Sequence, residues 1–300
     1  MLLVVRHETR YRYRTPVGLG RHRLVLRPRE GHDLALIRHT LLIEPANIVQ
    51  WMRDAHDNVI ALVDFESPTD QLTIVNEFEI RRIAPFPLTR AEAVAEVAWP
   101  VVYEEREAPL VEAYRQSNFP PECERIREWA SGVLRDANAS DALETVLALC
   151  REVHRSIGYR RRMERGVQTP VETLALASGS CRDLATLLME GARTVGLAAR
   201  FASGYLHGSA SIAGRASTHA WAEIYLPRIG WLGLDPTLGH PTDLRHIVVG
   251  VAHHPRGVMP VSGTFDGTGA DLLEHTVSVH TEERAAAVAT PLPAGNPAIA

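Results

Sequence analysis

The N-terminal part of the chain alternates between apolar and polar positions, a pattern typical of strands that bury one face. The clearest runs are HETRYRYR, HRLVLRPRE, ALIRHTLLIEP, IVQWMRDAHDNVIALVDF and QLTIVNEFEIRR. Asp57 and Asn58 interrupt the fourth run and predict a hairpin turn there. We therefore expect residues 1–83 to form an antiparallel, all-β domain.

The apolar spacing changes after residues 84–120, where repeated prolines predict a connector. In PECERIREWASGVLRD and DALETVLALCREVHRSIGY the apolar residues fall on one helical face, and Cys150 lies on that face in the second run. Further helical spacing around residue 185 is followed by the strand-like runs ARFASGYL, THAWAEIYL, GWLGLDP, RHIVVGVAHH and LEHTVSVHT. Helices followed by strands predict an α+β domain with an antiparallel sheet over residues 121–281. Residues 282–300 are small, proline-rich and without periodicity, and predict a disordered tail.

Composition narrows the class of protein. The 32 basic and 36 acidic residues give a formal net charge of −4, so we expect no nucleic-acid partner. The most basic short stretch, RRRMER at 160–165, predicts a solvated loop. The N-terminal MLLVVRHETRYRYR has too few consecutive apolar residues for a signal peptide or a membrane span. Cysteines 123, 150 and 181 form no CxxC pair, which argues against a disulfide framework or a cysteine-rich zinc site. Together these features predict a soluble, cytoplasmic protein that acts without a membrane.

One cysteine occupies a position with chemical consequences. In GSCRDLATLLMEGARTVG, Ser180 and Asp183 have the form of a capping box and Gly196 is typical of a helix stop, so the helix should begin at Cys181. The unpaired N–H groups and positive dipole at a helix start favour a thiolate over a thiol. Cys181 is therefore a candidate nucleophile; the alternative is a small buried side chain at a helix start.

A predicted hairpin, STHAWAEIYLPRIGWLGLDPT, brings a histidine and a carboxylate within reach. If its loop spans residues 226–230, Trp221 lies opposite Asp235 and His219 is the diagonal neighbour of Asp235, roughly 7–8 Å away between Cα atoms. A loop one residue shorter would place the two side chains on opposite faces. In the first register His219 can act as base toward a thiol and Asp235 can orient it. Asp-Pro-Thr is also an ordinary turn sequence.

Several segments resemble the transglutaminase-like superfamily in order and spacing: GSCRDLA, RFASGYL, HAWAE and GWLGLDPT. The run VRHETRYRYRTPVGLGRHRLVLRPRE is similar to the β-rich N-terminal region of bacterial transglutaminase-like proteins, so the resemblance covers about residues 1–280. It implies a papain-like core, with helices packed on an antiparallel sheet, and makes 121–281 the catalytic domain. In that core Cys181, His219 and Asp235 would form a catalytic triad that transfers acyl groups through a thioester.

We expect no cofactor, and the residues give no reason to expect a metal. His253 and His254 are adjacent on a predicted strand and so point to opposite faces. A DxDxDG calcium loop is absent from the sequence. The segment Val251–Pro255, VAHHP, departs from the Gly-Arg-Asp-Tyr-like segment usual in close bacterial relatives, and this departure bears on substrate recognition.

The function that these residues favour is hydrolysis of an amide or peptide bond. Cys181 would attack the carbonyl, His219 would protonate the leaving amine, and water would resolve the thioester. The partner would then be a peptide, protein or amide substrate. Transamidation to an amine is an alternative that requires a groove excluding water, and a non-catalytic binding module is another. The oxyanion hole would use the Cys181 backbone N–H, with Tyr159 or Trp221 as the candidate side chain.

Overall fold

The N-terminal segment is all-β, as its alternation predicts. The computed structural model describes residues 1–83, 97–137, 141–162, 164–208, 217–267 and 271–284. Its first strands are β1 (Leu2–Leu19), β2 (His22–Leu24), β3 (Leu34–Glu44), β4 (Asn47–Arg53), β5 (Val59–Phe65) and β6 (Thr69–Arg82). All pairings among them are antiparallel: β6 lies between β1 and β3, and β5 lies between β2 and β4.

The middle of the chain carries the helices and a second sheet. Its elements are α1 (Ala108–Glu112), α2 (Cys123–Ala137), α3 (Ala142–Ser156), β7 (Gly158–Tyr159), α4 (Pro170–Leu176), β8 (Ser178–Gly179), α5 (Cys181–Thr194), β9 (Ala198–Leu206), β10 (Ser217–Leu226), β11 (Gly230–Asp235), β12 (His240–Pro241) and β13 (His246–Ala252). Short 3-10 helices span Pro120–Glu122 and Pro255–Val258. The second sheet has the order β12-β11-β10-β9-β13 and all its neighbours are antiparallel.

Helix α5 is the centre of this second unit. It packs on β9 and β10 on one side and on α2, α3 and α4 on the others. Leu184, Leu187 and Leu188, the apolar stripe visible in the sequence, are buried in the shared core, and Cys150 of α3 joins them. The predicted α+β architecture of helices packed on an antiparallel sheet, preceded by an all-β region, is confirmed.

The last described strands return to the N-terminal unit. They are β14 (Val261–Ser262), which pairs with β2; β15 (Phe265–Asp266), which pairs with β1; and β16 (Leu272–Arg284), which follows β1 antiparallel. The sequence-based boundaries, which give 121–281 to the catalytic domain and 282–300 to a tail, differ from this arrangement. Alternation identified the last strand, but its partner is fixed by long-range pairing that alternation does not encode. Residues 285–300 of the predicted tail lie outside the described residues.

The predicted connector also contributes to the core. Its residues 84–96 lie outside the described residues, but Val97, Trp99 and Val101 pack against the helix-and-sheet core. Further along, α1 buries Val111. The described part of the connector is therefore a packed segment.

The two units meet at β9 and β13. Tyr205 of β9 is buried. The hydroxyl of Tyr205 lies 2.8 Å from Nδ1 of His7, and its ring packs against the ring of Phe78. Asn58 sits in the predicted hairpin turn between β4 and β5 and makes two hydrogen bonds, of 2.8 and 2.9 Å, to the backbone of Val251 in β13. In the same region β16, which pairs with β1, contacts β10. Among the helices that the structure describes, none has the length and apolar composition to span a bilayer.

Candidate active site

Cys181 is the first residue of α5, as the capping pattern predicts, and its side chain is half-buried. Ser180 is the N-cap, and Asp183 closes a capping box with it. The Asp183 Oδ2 atom accepts 2.8 Å hydrogen bonds from both the backbone N–H and the hydroxyl of Ser180. These bonds fix the first turn and hold Cys181 at the positive end of the helix dipole, where a thiolate is favoured.

Asp183 also reaches beyond its own helix. The carboxylate is fully buried and accepts a 2.8 Å hydrogen bond from the backbone N–H of Gln168. It forms an ion pair at 3.2 Å with Arg162, whose side chain is mostly buried. The sequence predicts only the capping role of Asp183. In the structure the same carboxylate ties the preceding loop, which contains Arg162 and Gln168, to the start of α5.

The hairpin adopts the first of the two registers considered. β10 and β11 pair with Tyr225 opposite Trp231, which matches a loop over residues 226–230. His219 and Asp235 therefore share one face of the sheet, and Nε2 of His219 lies 2.7 Å from Oδ2 of Asp235. Both side chains are buried. The structure thus brings together the histidine and the carboxylate that the sequence selected.

A second histidine, His246 at the start of β13, completes the arrangement and was not identified from the sequence. Its Nε2 lies 3.0 Å from the same Oδ2 of Asp235. Its Nδ1 lies 3.1 Å from the backbone nitrogen of Asp243 and 3.2 Å from the Asp243 carboxylate. The Trp221 ring packs edge-on against it at 5.4 Å. His246 is one of 14 histidines, and only the long-range pairing of β13 with β9 brings it to Asp235.

The charge state of Asp235 determines which atoms donate the hydrogen bonds around it. Burial disfavours the charge on Asp235, but the charges and hydrogen bonds of His219 and His246 outweigh it and hold the pKa of this carboxyl well below its usual range. An ionised carboxylate only accepts hydrogen bonds, so Nε2 of each imidazole donates. The Oδ1 atom of Asp235 accepts from the backbone N–H of Thr237 at 2.8 Å. Asp235 is thus a fixed acceptor for three donors.

This assignment leaves Nδ1 of His219 as the ring nitrogen that is not bonded to Asp235, and His219 and Cys181 line the same cleft. Burial disfavours the imidazolium, but the Asp235 charge and hydrogen bond, together with a hydrogen bond to Cys181, raise the pKa of His219 to about 10. When the ring is neutral and its Nε2–H is directed at Asp235, the lone pair lies on Nδ1. The arrangement can take a proton from Cys181 and stabilise the resulting imidazolium.

A cleft of about 1260 Å³ opens over Cys181 and His219. Its walls come from residues 159–162 and 165–169, from β1 and β16, and from the 3-10 helix at Pro255–Val258. Tyr159 lines the cleft and is held beside the nucleophile by the pairing of β7 with β8, in which it lies opposite Gly179. Burial raises the pKa of Tyr159, and the charge of Cys181 raises it further.

Of the two oxyanion candidates, Trp221 does not line this cleft among the described residues. It is buried and packs on His246, so its role in the structure is to hold that ring. Tyr159 stays a prediction for the oxyanion hole.

The histidines considered as metal ligands are accounted for by protein contacts. His253 Nε2 lies 2.9 Å from the backbone oxygen of Gln116, and His254 Nδ1 accepts from the backbone N–H of Arg256. In the described residues, His219, Asp235 and His246 form one group whose candidate ligand atoms lie within 4.8 Å of one another. The hydrogen bonds between these same atoms explain their closeness. The absence of a metal stays a prediction.

Comparison with known proteins connects these residues to a family. The family model for the transglutaminase-like superfamily matches residues 127–236, which include Cys181, His219 and Asp235. The model for the bacterial transglutaminase-like N-terminal region matches residues 3–81.

Proteins that are similar along most of this chain occur in mycobacteria. An uncharacterized protein of Mycobacterium tuberculosis is 30% identical over 275 residues, which cover 86% of each chain. Another from Mycobacterium leprae is 23% identical over 280 residues, covering 91% of this chain and 96% of its own. A solved structure from Cytophaga hutchinsonii, described as a candidate cysteine protease, has a TM-score of 0.73 and 14% identity, and covers 95% of this chain and 92% of its own. At that identity the likeness shows a common fold.

Proposed function

This chain belongs to the transglutaminase-like superfamily, and we propose that it is a cysteine-dependent acyl-transfer enzyme that hydrolyses an amide or peptide bond through a thioester on Cys181. The observation that carries the proposal is that Cys181 and His219 line one cleft, and that the buried Asp235 lies 2.7 Å from Nε2 of His219. Nucleophile, base and orienter are the groups that such a reaction needs.

The first half-reaction forms the thioester. His219 takes the proton of Cys181, and the sulfur attacks the carbonyl carbon to give a tetrahedral oxyanion. The backbone N–H of Cys181 and the hydroxyl of Tyr159 are the groups we assign to that oxyanion. The carbon–nitrogen bond then breaks, and the imidazolium of His219 gives its proton to the leaving amine.

The second half-reaction consumes water. With the amine gone, neutral His219 takes a proton from a water molecule as its oxygen attacks the thioester carbonyl. Collapse of the second tetrahedral intermediate breaks the carbon–sulfur bond, releases a carboxylic acid and returns the proton to sulfur. Asp235 stays ionised throughout and stabilises the imidazolium at each transfer. His246 donates to the same Oδ2 atom and so helps to hold Asp235 in place.

We favour hydrolysis over transamidation because the half-buried Cys181 lies in a cleft that water can enter. A transamidase has to exclude that water from the thioester. The reaction also needs a free thiol, and all three cysteines are free. We therefore place the enzyme in a reducing compartment such as the cytoplasm.

Iodoacetamide labelling at pH 7 tests the assignment of the nucleophile. We expect alkylation of Cys181 well ahead of the other two cysteines, measured by mass spectrometry of the digested native protein. Cys150 is a matched internal control because burial raises its pKa to about 12. Cys123, half-buried near the backbone oxygen of Phe119, is the other. Equal labelling of all three cysteines in the native protein would favour a binding module.

Turnover tests the reaction itself. A peptide and isopeptide library, with and without an added amine, should release amine products with the wild-type protein. Cys181→Ala should abolish that release and leave the circular dichroism spectrum unchanged, since the position is only half-buried. Cys123→Ala should keep full activity. If Cys181→Ala turned over substrate like the wild type, the mechanism would be wrong.

A further inference from the structure

The charge of the cleft differs from the charge of the protein. The chain is acidic overall, with a net charge of −4. Yet the described residues that line the cleft include five arginines and no aspartate or glutamate; the arginines are Arg161, Arg162, Arg165, Arg182 and Arg256. Because acidic residues outnumber basic ones over the whole chain, this lining is a local concentration of positive charge.

Most of these arginines have no carboxylate partner. Arg162 pairs with the buried Asp183 and holds the loop in place. No carboxylate of the described residues forms an ion pair with the other four. Arg161, Arg165 and Arg256 are exposed, and within the described part of the chain the guanidinium of Arg182 donates to the backbone oxygen of Glu164, at 3.3 Å. Their charges are available to a ligand.

The arginines come from more than one part of the cleft: Arg161, Arg162 and Arg165 from the loop that follows β7, and Arg182 from α5. The pKa of Tyr159 is raised by burial and by Cys181, and the charges of Arg161 and Arg182 act against that rise, so both lie near Tyr159. The charge of Arg165 lowers the pKa of Tyr11 and of His275, which stack on each other at 4.5 Å on the wall formed by β1 and β16. Arg256 belongs to a third wall.

Three histidines of the cleft add little charge at neutral pH. Burial lowers the pKa of His7 to about 4, and it also lowers the pKa of His254 and of His275. The guanidinium groups, in contrast, stay charged at every physiological pH.

We propose that the cleft takes an acidic peptide, with carboxylate side chains on both sides of the bond that Cys181 attacks. This inference rests on the proposed function, because a thiol nucleophile acts on a carbonyl carbon and a nucleic-acid backbone offers none. Arginine pairs with carboxylates through two parallel hydrogen bonds, which suits glutamate and aspartate side chains. The positive cleft would also steer such a peptide toward an otherwise acidic protein.

Binding to the full-length Cys181→Ala protein tests the substrate class without turnover. The probes are three fluorescent, degenerate peptide pools of equal length that carry Glu, Gln or Lys at alternate positions. By fluorescence anisotropy at low salt we expect the Glu pool to bind roughly tenfold more tightly than the Gln pool, and the Lys pool most weakly. Added sodium chloride should reduce that preference.

Two double variants in the same Cys181→Ala background test whether the arginines of the cleft cause the preference for the Glu pool. Arg161→Gln with Arg165→Gln should reduce the ratio of Glu-pool to Gln-pool affinity severalfold. Arg125→Gln with Arg135→Gln removes the same charge from exposed positions of α2 outside the cleft lining, and should leave the ratio unchanged. Equal binding of the three pools, or an equal loss in the two double variants, would overturn the proposal.

Turnover of the same pools by the wild type separates this proposal from the proposed function. Preferential binding of the Glu pool without amine release from any pool would support the substrate class and contradict hydrolysis. Amine release from the Gln or Lys pool but not from the Glu pool would support hydrolysis and overturn the substrate class. An oligothymidylate of matched charge that displaces the Glu pool better than unlabelled acidic peptide would overturn the assignment to peptides.

Discussion

Cys181 and His219 face the same cleft, but the chain positions them by different means. Cys181 depends on a helix start that is specified locally by Ser180 and Asp183. His219 depends on a partner sixteen residues away on the next strand, and that partner depends in turn on His246 from a third strand. Cys181 is held by one turn of helix, whereas His219 is held by a hydrogen-bond network that exists only when the sheet is assembled.

This difference has consequences for mutation. A locally capped helix start can lose one bond and keep its overall form, because the rest of α5 is packed on the sheet. In the network around Asp235, every donor shares one buried carboxylate. Loss of one member therefore affects the others, and effects there should be large and non-additive.

Asp235→Asn should give the largest loss among these partners of the nucleophile. The amide keeps the shape but favours the wrong imidazole tautomer of His219 and removes the charge that stabilises the imidazolium. We expect kcat/KM to fall by up to roughly 10⁴-fold and Cys181 labelling to shift to higher pH. Asp136→Asn, an exposed change on α2, is the control. Activity within tenfold of the wild type would mean that His219 needs no carboxylate.

The same variant also tests how the pairing of His219 with Asp235 makes the stability of the protein depend on pH. The folded pKa of His219, about 10, lies above its unfolded value, so its contribution is complete below pH 6.5 and is lost as the pH rises toward 10. The folded pKa of Asp235 is depressed, so its contribution is present above about pH 4 and lost below it. By urea titration, the difference in unfolding free energy between the wild type and Asp235→Asn should be largest between about pH 4 and pH 6.5, where both contributions are complete. An advantage that grew above pH 8 would contradict the pairing.

His246 is the next member of the network, and its replacement should cost less. His246→Phe keeps a ring against Trp221 but removes the donor to Asp235. We expect kcat to fall roughly tenfold to a hundredfold, with little change in KM. This loss is smaller than the loss expected when the general base itself is removed. His246→Gln restores an N–H near Nε2 and should recover most of the activity. If the two variants were equally active, His246 would serve packing alone.

The contrast between local and long-range positioning also explains what the sequence could predict. The start of α5 at Cys181 and its stop at Gly196 follow from side chains within one helix, and both are present. The pairing of His219 with Asp235 could be narrowed to two registers, because a hairpin is nearly local. His246 and the return of β16 to β1 could not be predicted, since each depends on strands far apart in sequence.

The positive charge of the cleft could not be predicted from the sequence for a similar reason. Arg161 and Arg165 belong to the stretch that composition predicts as a solvated loop, and both are indeed exposed. What composition does not contain is the wall opposite them, which comes from β1 and β16 and turns an exposed loop into one side of a cleft. A net charge for the whole chain averages over such local features.

Asp183→Asn should have the smallest effect on rate, and it tests the local side of the comparison. The asparagine amide has one acceptor oxygen fewer for Ser180 and lacks the negative charge that pairs with Arg162. The side chain at this position is fully buried. We expect a loss of about 1–3 kcal/mol in unfolding free energy, measured by urea titration, with kcat/KM reduced only severalfold because the network around Asp235 is untouched. Asp136→Asn is again the exposed control. A rate loss as large as that of Asp235→Asn would show that the helix start is coupled to the network, and that the two sides of the site are one cooperative unit.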